Sequence, residues 1–236
     1  RDWVYALGFG LFGLALRLWN LDSPKGKIFD EIYYATNAES LLQNGIEIDS
    51  KSGLAQFIVH PPAGKWLIAS GIKLFGYNEF GWRFAAAIVG SISIVLMYFT
   101  AKKLFNNKLF SVFAASLISL DGLHLVHSRI ALLDIFLVFF IQIAVLAFLH
   151  SKYWISALSL GLACSVKWNG LYVLIALALY VLVLDIRRNR YLGSQFPIRE
   201  MIRKSLFFRF LQFGIFPVVI YVASWFSWFV TNTGWD

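Results

Sequence analysis

The chain has 236 residues, is 59% hydrophobic and only 14% charged, and carries a formal charge of +8 with a mean hydropathy of +0.67. Soluble domains average about 45–50% apolar and about 25% charged, so this composition excludes an ordinary soluble domain. The positive charge does not point to nucleic acid, because Lys and Arg lie mainly between apolar runs, where they fix membrane orientation.

Repeated apolar runs of about 15–25 residues predict spanning helices, since water cannot satisfy backbone polar groups in the bilayer core. The first segment covers 3–19. It carries Arg17 near its end and shows no small-residue cleavage site, so it is expected to stay as a span and not be a signal peptide. Asp22 to Lys27 turn polar, and Ile28-Phe29-Asp30-Glu31-Ile32-Tyr33-Tyr34 follows. The region 21–80 is expected to form a long first outer loop. Within it, 33–43 reads as a short helix stopped by Asn44-Gly45. The stretch 45–57 reads as loop, with Ser50, Ser52 and Gly53 as breakers. His60-Pro61-Pro62 leads into a helix reaching Phe75. Leu67, Ile68, Ile72 and Phe75, with Lys65 and Lys73, suit a helix lying at the membrane surface.

Segment two covers 80–101 with Arg83 near its start, segment three 109–123, and segment four 130–149. The stretch 154–186 exceeds one span at ~1.5 Å per residue, and Lys167-Trp168-Asn169-Gly170 divides it into segments five and six. The basic stretch 187–204 is expected to be interfacial helix and loop. Segment seven covers 207–230, and a polar end reaches Asp236. The expected fold is all-α: one polytopic, membrane-embedded unit over 1–236, with about seven spans and short interfacial helices in the first outer loop. The single cysteine, Cys164, allows no internal disulfide and leaves the redox compartment open.

With a cytoplasmic N-terminus, the inner loops hold Arg1, Lys102, Lys103, Lys108, Lys152, Arg187, Arg188, Arg190, Arg199, Arg203, Lys204 and Arg209. The positive-inside rule then places Asp30 and Glu31 on the extracytoplasmic side, with the turns 124–129 and 167–170. Segments three and five are short for a core of about 30 Å. Their outer ends are expected to stop below the surface, so that Asp121, Arg129, Asp134 and Lys167 line a recessed, partly wet cavity. Ionisable groups at that depth are costly and usually functional.

Each polar feature has two readings. Asp30-Glu31 is either a solvated pair, one acid capping a helix near Ile32, or a general base for an acceptor hydroxyl. Arg17, Arg83, Arg129 and Lys167 either snorkel to the interface or hold a phosphate. His60-Pro61-Pro62 reads equally as a rigid helix start. His124 and His127 have a spacing that permits a metal site with Asp121, without thiolates or an HExxH pattern. Trp66, Trp82 and Trp168 read as an aromatic belt. Four cations beside two acids favour an anionic substrate and a proton-removing step.

The ordered set Arg17, Phe29-Asp30-Glu31, His60-Pro61-Pro62-Ala63-Gly64-Lys65, Arg83-Phe84, Ser128-Arg129-Ile130-Ala131-Leu132-Leu133-Asp134 and Lys167-Trp168-Asn169-Gly170 resembles the protein O-mannosyltransferases of the GT-C fold. The resemblance runs from Arg17 to the chain's end. It implies inverting transfer of mannose from a polyprenyl- or dolichyl-phosphate donor to Ser or Thr of secreted or membrane proteins. The active site would face the extracytoplasmic or lumenal side of a prokaryotic plasma membrane or the endoplasmic reticulum. It makes Asp30 and Glu31 the catalytic acids, with Asp30 as base. By the same resemblance, Arg83, helped by Arg129 or Lys167, steadies the leaving phosphate, while His60 and Lys65 shape the acceptor side. Arg17, Asp134 and Asn169 complete the expected substrate-binding set. No resident cofactor or metal is implied, and a divalent metal is left open. The family has about eleven spans, so this chain reads as an N-terminal portion. Two rivals stand beside this reading: a GT-C transferase acting on lipid A or cell-wall glycan, and a transporter or flippase fragment with inverted repeats.

Overall fold

The structure, a computed structural model, describes residues 2–49, 52–56 and 58–231. Arg1, Ser50 and the polar end at 232–236, all used above, lie outside the described residues. The described chain is helical apart from turns and one isolated bridge between Ile48 and Ala55. The helices are α1 (Asp2–Leu18), α2 (Glu31–Asn44), α3 (Ala63–Phe75), α4 (Glu79–Phe105), α5 (Lys108–Leu120), α6 (Gly122–His127), α7 (Leu133–Leu149), α8 (Tyr153–Val166), α9 (Gly170–Tyr191), α10 (Pro197–Ser224) and α11 (Phe226–Val230).

Local chemistry sets the boundaries. Gly45, left-handed at φ 77°, donates its N–H to Leu41 O and stops α2. Asn78 Oδ1 accepts the Gly81 N–H at 2.9 Å and starts α4. Asn107 Oδ1 accepts from Leu109 N at 2.8 Å and starts α5. Lys167 is extended (φ −148°, ψ 142°), which separates α8 from α9 where the polar tetrapeptide falls. At Gly170 a Cβ would come within 2.7 Å of Cys164 N, so that turn accepts no side chain.

Three helices, α4, α9 and α10, have the length and hydropathy to cross a bilayer. Helices α5, α7 and α8 are apolar but shorter. The chain is a polytopic membrane protein, and its α9 and α10 carry many exposed Leu, Ile, Val and Phe side chains. Two details differ from the sequence reading. Segment three breaks at Asp121, whose carboxylate caps α6 through the His124 N–H at 2.7 Å. The basic residues after Pro197 form no separate interfacial helix and are the first turns of α10. Nothing in 198–213 breaks a helix, and Pro197 sits at its favoured first position. Wider turns at Ile202–Leu206 and Leu211–Ile215 keep α10 continuous, the second just ahead of Pro217, whose missing N–H such a turn absorbs.

Helix α4 is the axis, packing against α1, α3, α5 and α7. One core joins α2, α3, α4 and α7 through Ala35, Ala38, Ile68, Ala86, Leu133 and Phe136. A second joins α7, α8, α9 and α10 through Ala144, Phe148, Leu160, Val181 and Phe213. Ile68, Ile72 and Lys65 all lie on the buried face of α3, so that helix packs into the protein and does not simply rest on the membrane surface. Trp82 is likewise in the core and not in an interfacial belt.

Small residues permit the α3–α4 contact: a Cβ at Gly71 would lie 2.3 Å from the Gly81 carbonyl oxygen, whereas one at Gly8 meets nothing within 4 Å. Gly71→Ala is therefore expected to destabilise by about 1–3 kcal/mol through overpacking. Gly8→Ala is expected to be neutral or stabilising by about 0.5–1 kcal/mol. Thermal unfolding of the two variants in one detergent checks the contrast.

Candidate active site

The region between α1 and α4 is fastened to the helices by a buried ion pair. Arg83 on α4 and Glu31 in the first turn of α2 are both fully buried. The fork is bidentate: Nε donates to Oε1 and Nη2 to Oε2, each at 2.8 Å. The remaining Arg83 donors reach the carbonyls of Leu21, Pro24 and Gly26 at 2.9–3.2 Å. Glu31 also accepts the N–H of Ile28 at 2.9 Å and of Ala131 at 2.8 Å. Every Arg83 donor and both Glu31 oxygens are engaged. Arg83 therefore neither snorkels nor offers a free fork to a phosphate, and Glu31 has no lone pair turned to a substrate, contrary to the roles expected of them.

Asp30, its neighbour, differs. It sits at the α2 N-terminus without capping it and is half-buried. The preceding Phe29 is left-handed at φ 52°, an uncommon conformation for a bulky residue. Tyr34 lies one turn on, close enough to Asp30 to feel its charge. Burial, and then the charges of Asp30 and Asp134, push the Tyr34 phenol upward, so it stays a neutral donor. The His60 ring lies 6.1 Å from the Tyr34 ring. Burial, then Lys167 and Lys65, push His60 below its ordinary value against the opposing pull of Asp134 and Asp30. Lys167 Nζ is held by both oxygens of Asp134 at 2.9 Å, and this pair is partly open to solvent. Asn169 is exposed on the same turn. Asp30, His60, Asp134 and Lys167, named from sequence, thus gather around Tyr34, which was not.

Lys65 does not reach this space. Its ammonium is buried and saturated by Glu47 Oε1 at 2.7 Å, Glu47 Oε2 at 2.9 Å and the His60 carbonyl at 2.9 Å. Its ammonium thus touches the backbone of His60 and leaves no donor for a substrate. Glu47 carried no sequence signal, because a lone acid in a loop follows no pattern. Tyr34 had one: it is four residues from Asp30, hence on the same helical face.

Arg17 is also fully buried, so it does not snorkel. It donates to Gly13 O at 3.0 Å and contacts His124 Nδ1 at 2.8 Å. Arg129 is pinned to the end of α1 through Leu16 O at 2.7 Å and Asn20 O at 3.1 Å. These two residues form a separate knot joining α1 to α6 and are not beside Asp30. Asp121 serves as a cap, and among the described residues no three His, Cys, Asp or Glu are placed to hold a metal.

Residues 8–230 match the sequence profile described as Dolichyl-phosphate-mannose-protein mannosyltransferase. Over 99% of this chain, 37% of positions are identical to the polyprenol-phosphate-mannose–protein mannosyltransferase of Mycolicibacterium smegmatis, covering 51% of that protein. The enzyme of the same name from Corynebacterium glutamicum is 30% identical over 94% of this chain and 50% of its own. Protein O-mannosyl-transferase 1 of Mus musculus is 26% identical over 89% of this chain and 31% of its own length. The chain thus spans about half the length of the bacterial relatives, or 51% of the first. With a profile that runs through every helix from α1 to α11, this chain belongs to the dolichyl-phosphate-mannose-protein mannosyltransferase family.

Proposed function

We propose that this chain carries the base and the donor-phosphate contact of a membrane mannosyltransferase. In this reading mannose passes from a polyprenyl- or dolichyl-phosphate donor to a Ser or Thr hydroxyl of a protein. The carrying observation is the difference between two adjacent acids: Glu31 is buried and saturated, while Asp30 is half-buried near Tyr34 and His60 and does not cap its helix. Asp30 takes the proton of the acceptor hydroxyl. The acceptor oxygen forms a bond to the anomeric carbon as the bond from that carbon to the phosphate oxygen breaks. Its electron pair leaves on the phosphate, and the anomeric configuration inverts.

Lys167 is the cation we assign to that phosphate, since Arg83 has no donor to spare. Charge developing on the leaving oxygen favours a fixed ammonium nearby. The phosphate competes with Asp134 for it. Neutral His60 and Tyr34 border the acceptor side. Lys102, Lys103, Lys152, Arg187 and Arg188 stand at helix ends opposite those bearing Arg83, Asp134 and Lys167, which supports an extracytoplasmic site. That face would be exposed outside a prokaryotic plasma membrane or in the lumen of the endoplasmic reticulum.

Two outcomes test this in the full-length protein, with labelled polyprenyl-phosphate-mannose and a Ser/Thr-rich peptide. Asp30→Asn is expected to lower kcat by about 10²- to 10⁴-fold with an unchanged unfolding midpoint. Unimpaired transfer by that variant rejects Asp30 as base, and label appearing only in lipid or glycan rejects the protein acceptor. Arg83→Met, by contrast, is expected to cost about 3–5 kcal/mol of stability because it strands a buried carboxylate. Lys167→Met should leave the fold intact and raise the donor KM. An Arg83→Met protein as stable as wild type, with a raised donor KM, would return the phosphate to Arg83.

A further inference from the structure

We infer that Glu47, acting through Lys65, is a positioning residue that sets His60 on the acceptor side of the site. This rests on the reading of Asp30 as base given above. Glu47 lies in the loop between α2 and α3 and is fully buried, as is Lys65. Its carboxylate takes two N–H bonds from Lys65, and Oε2 also accepts from Asn37 Nδ2 at 2.8 Å. Its own carbonyl accepts the Gln56 N–H at 2.7 Å, so the returning half of the loop is tied to the same residue.

The third Lys65 donor goes to the carbonyl of His60. That bond carries unusual weight. The two residues after His60 are prolines and have no N–H to donate. Anchoring at this corner therefore falls on its carbonyls and on packing. An ammonium held at two points by one carboxylate is a rigid donor for the third point. The His60 ring lies 6.1 Å from that of Tyr34, which is one helical turn from Asp30. The chain of contact runs from Glu47 to Lys65, His60 and Tyr34, one helical turn from Asp30.

Stability alone does not account for this pair. A buried ion pair replaced by apolar side chains of similar size is often as stable or more so. Geometry does account for it, since an apolar pair cannot hold a carbonyl. The discriminating protein is therefore the double variant Glu47→Gln with Lys65→Met. It strands no buried charge and keeps an acceptor for Asn37, but it leaves the His60 carbonyl without its donor.

Two readouts are made on the full-length protein in detergent. The first needs no turnover: carbethoxylation of His60 by diethyl pyrocarbonate, followed by mass spectrometry, with His124, His127 and His150 as internal references. The second is the KM for acceptor peptide and for donor. With a wild-type unfolding midpoint, His60 is expected to react about tenfold faster, and the acceptor KM to rise about tenfold with the donor KM unmoved. An unchanged His60 rate overturns the proposal whether or not the protein transfers mannose. A faster rate with an unchanged acceptor KM overturns the link to the acceptor. A wild-type protein that transfers no mannose condemns the reaction assigned above, and the His60 rate still judges the positioning. If the double variant fails to fold, Glu47→Asp, one methylene shorter with its charge kept, is judged by the same two measurements.

Discussion

The bidentate contact of Arg83 with Glu31 is the constraint on which the candidate site depends. It joins the start of α4, the first turn of α2, the carbonyls of 21–26 and the backbone just before α7. Stretches around 21–31, 83 and 131, far apart in sequence, are held by one guanidinium and one carboxylate, neither exposed. Desolvation of such a pair is costly, and it is retained here with nearly complete hydrogen bonding, the condition under which the cost is offset. Because Glu31 is immobilised, the residue before it is placed too. Asp30 inherits a fixed position without spending its own carboxylate on the fold.

A division of labour follows. Groups that the sequence offers as one pool of acids and cations separate into two sets by burial. Glu31, Arg83, Glu47, Lys65 and Arg17 are enclosed and organise the scaffold. Asp30, His60, Asp134 and Lys167 remain partly open and face one another across α2, α7 and the α8–α9 turn. Both sets contribute to the residues that carry the family resemblance: Arg17, Glu31, Lys65 and Arg83 are enclosed, and Asp30, His60, Asp134 and Lys167 are not.

The elements were largely legible because their signals are local. Asn44-Gly45 ended α2, the two prolines preceded α3, and Lys167-Trp168-Asn169-Gly170 split a stretch too long for one span. Burial within the membrane domain was less legible, because hydropathy does not separate a lipid-facing side from a core-facing side. Lys65 and Trp82 were misjudged for that reason. Pairings were least legible of all. Glu31 and Arg83 are 52 positions apart, and Glu31 and Ala131 are 100 apart. Glu47 fits no periodicity and is recognisable only once Lys65 is seen to be out of reach of water.

If Lys167 meets the donor phosphate as proposed, its contact with Asp134 bears on selectivity. In the resting molecule the ammonium already has an anion. A free inorganic anion arriving from outside gains little by exchanging one negative partner for another. An anion carried on a long isoprenoid chain arrives with additional hydrophobic attraction to the bilayer and can drive the exchange. Such a built-in counter-ion would shield the pocket from the abundant small anions of its surroundings and reserve it for a headgroup tethered to lipid.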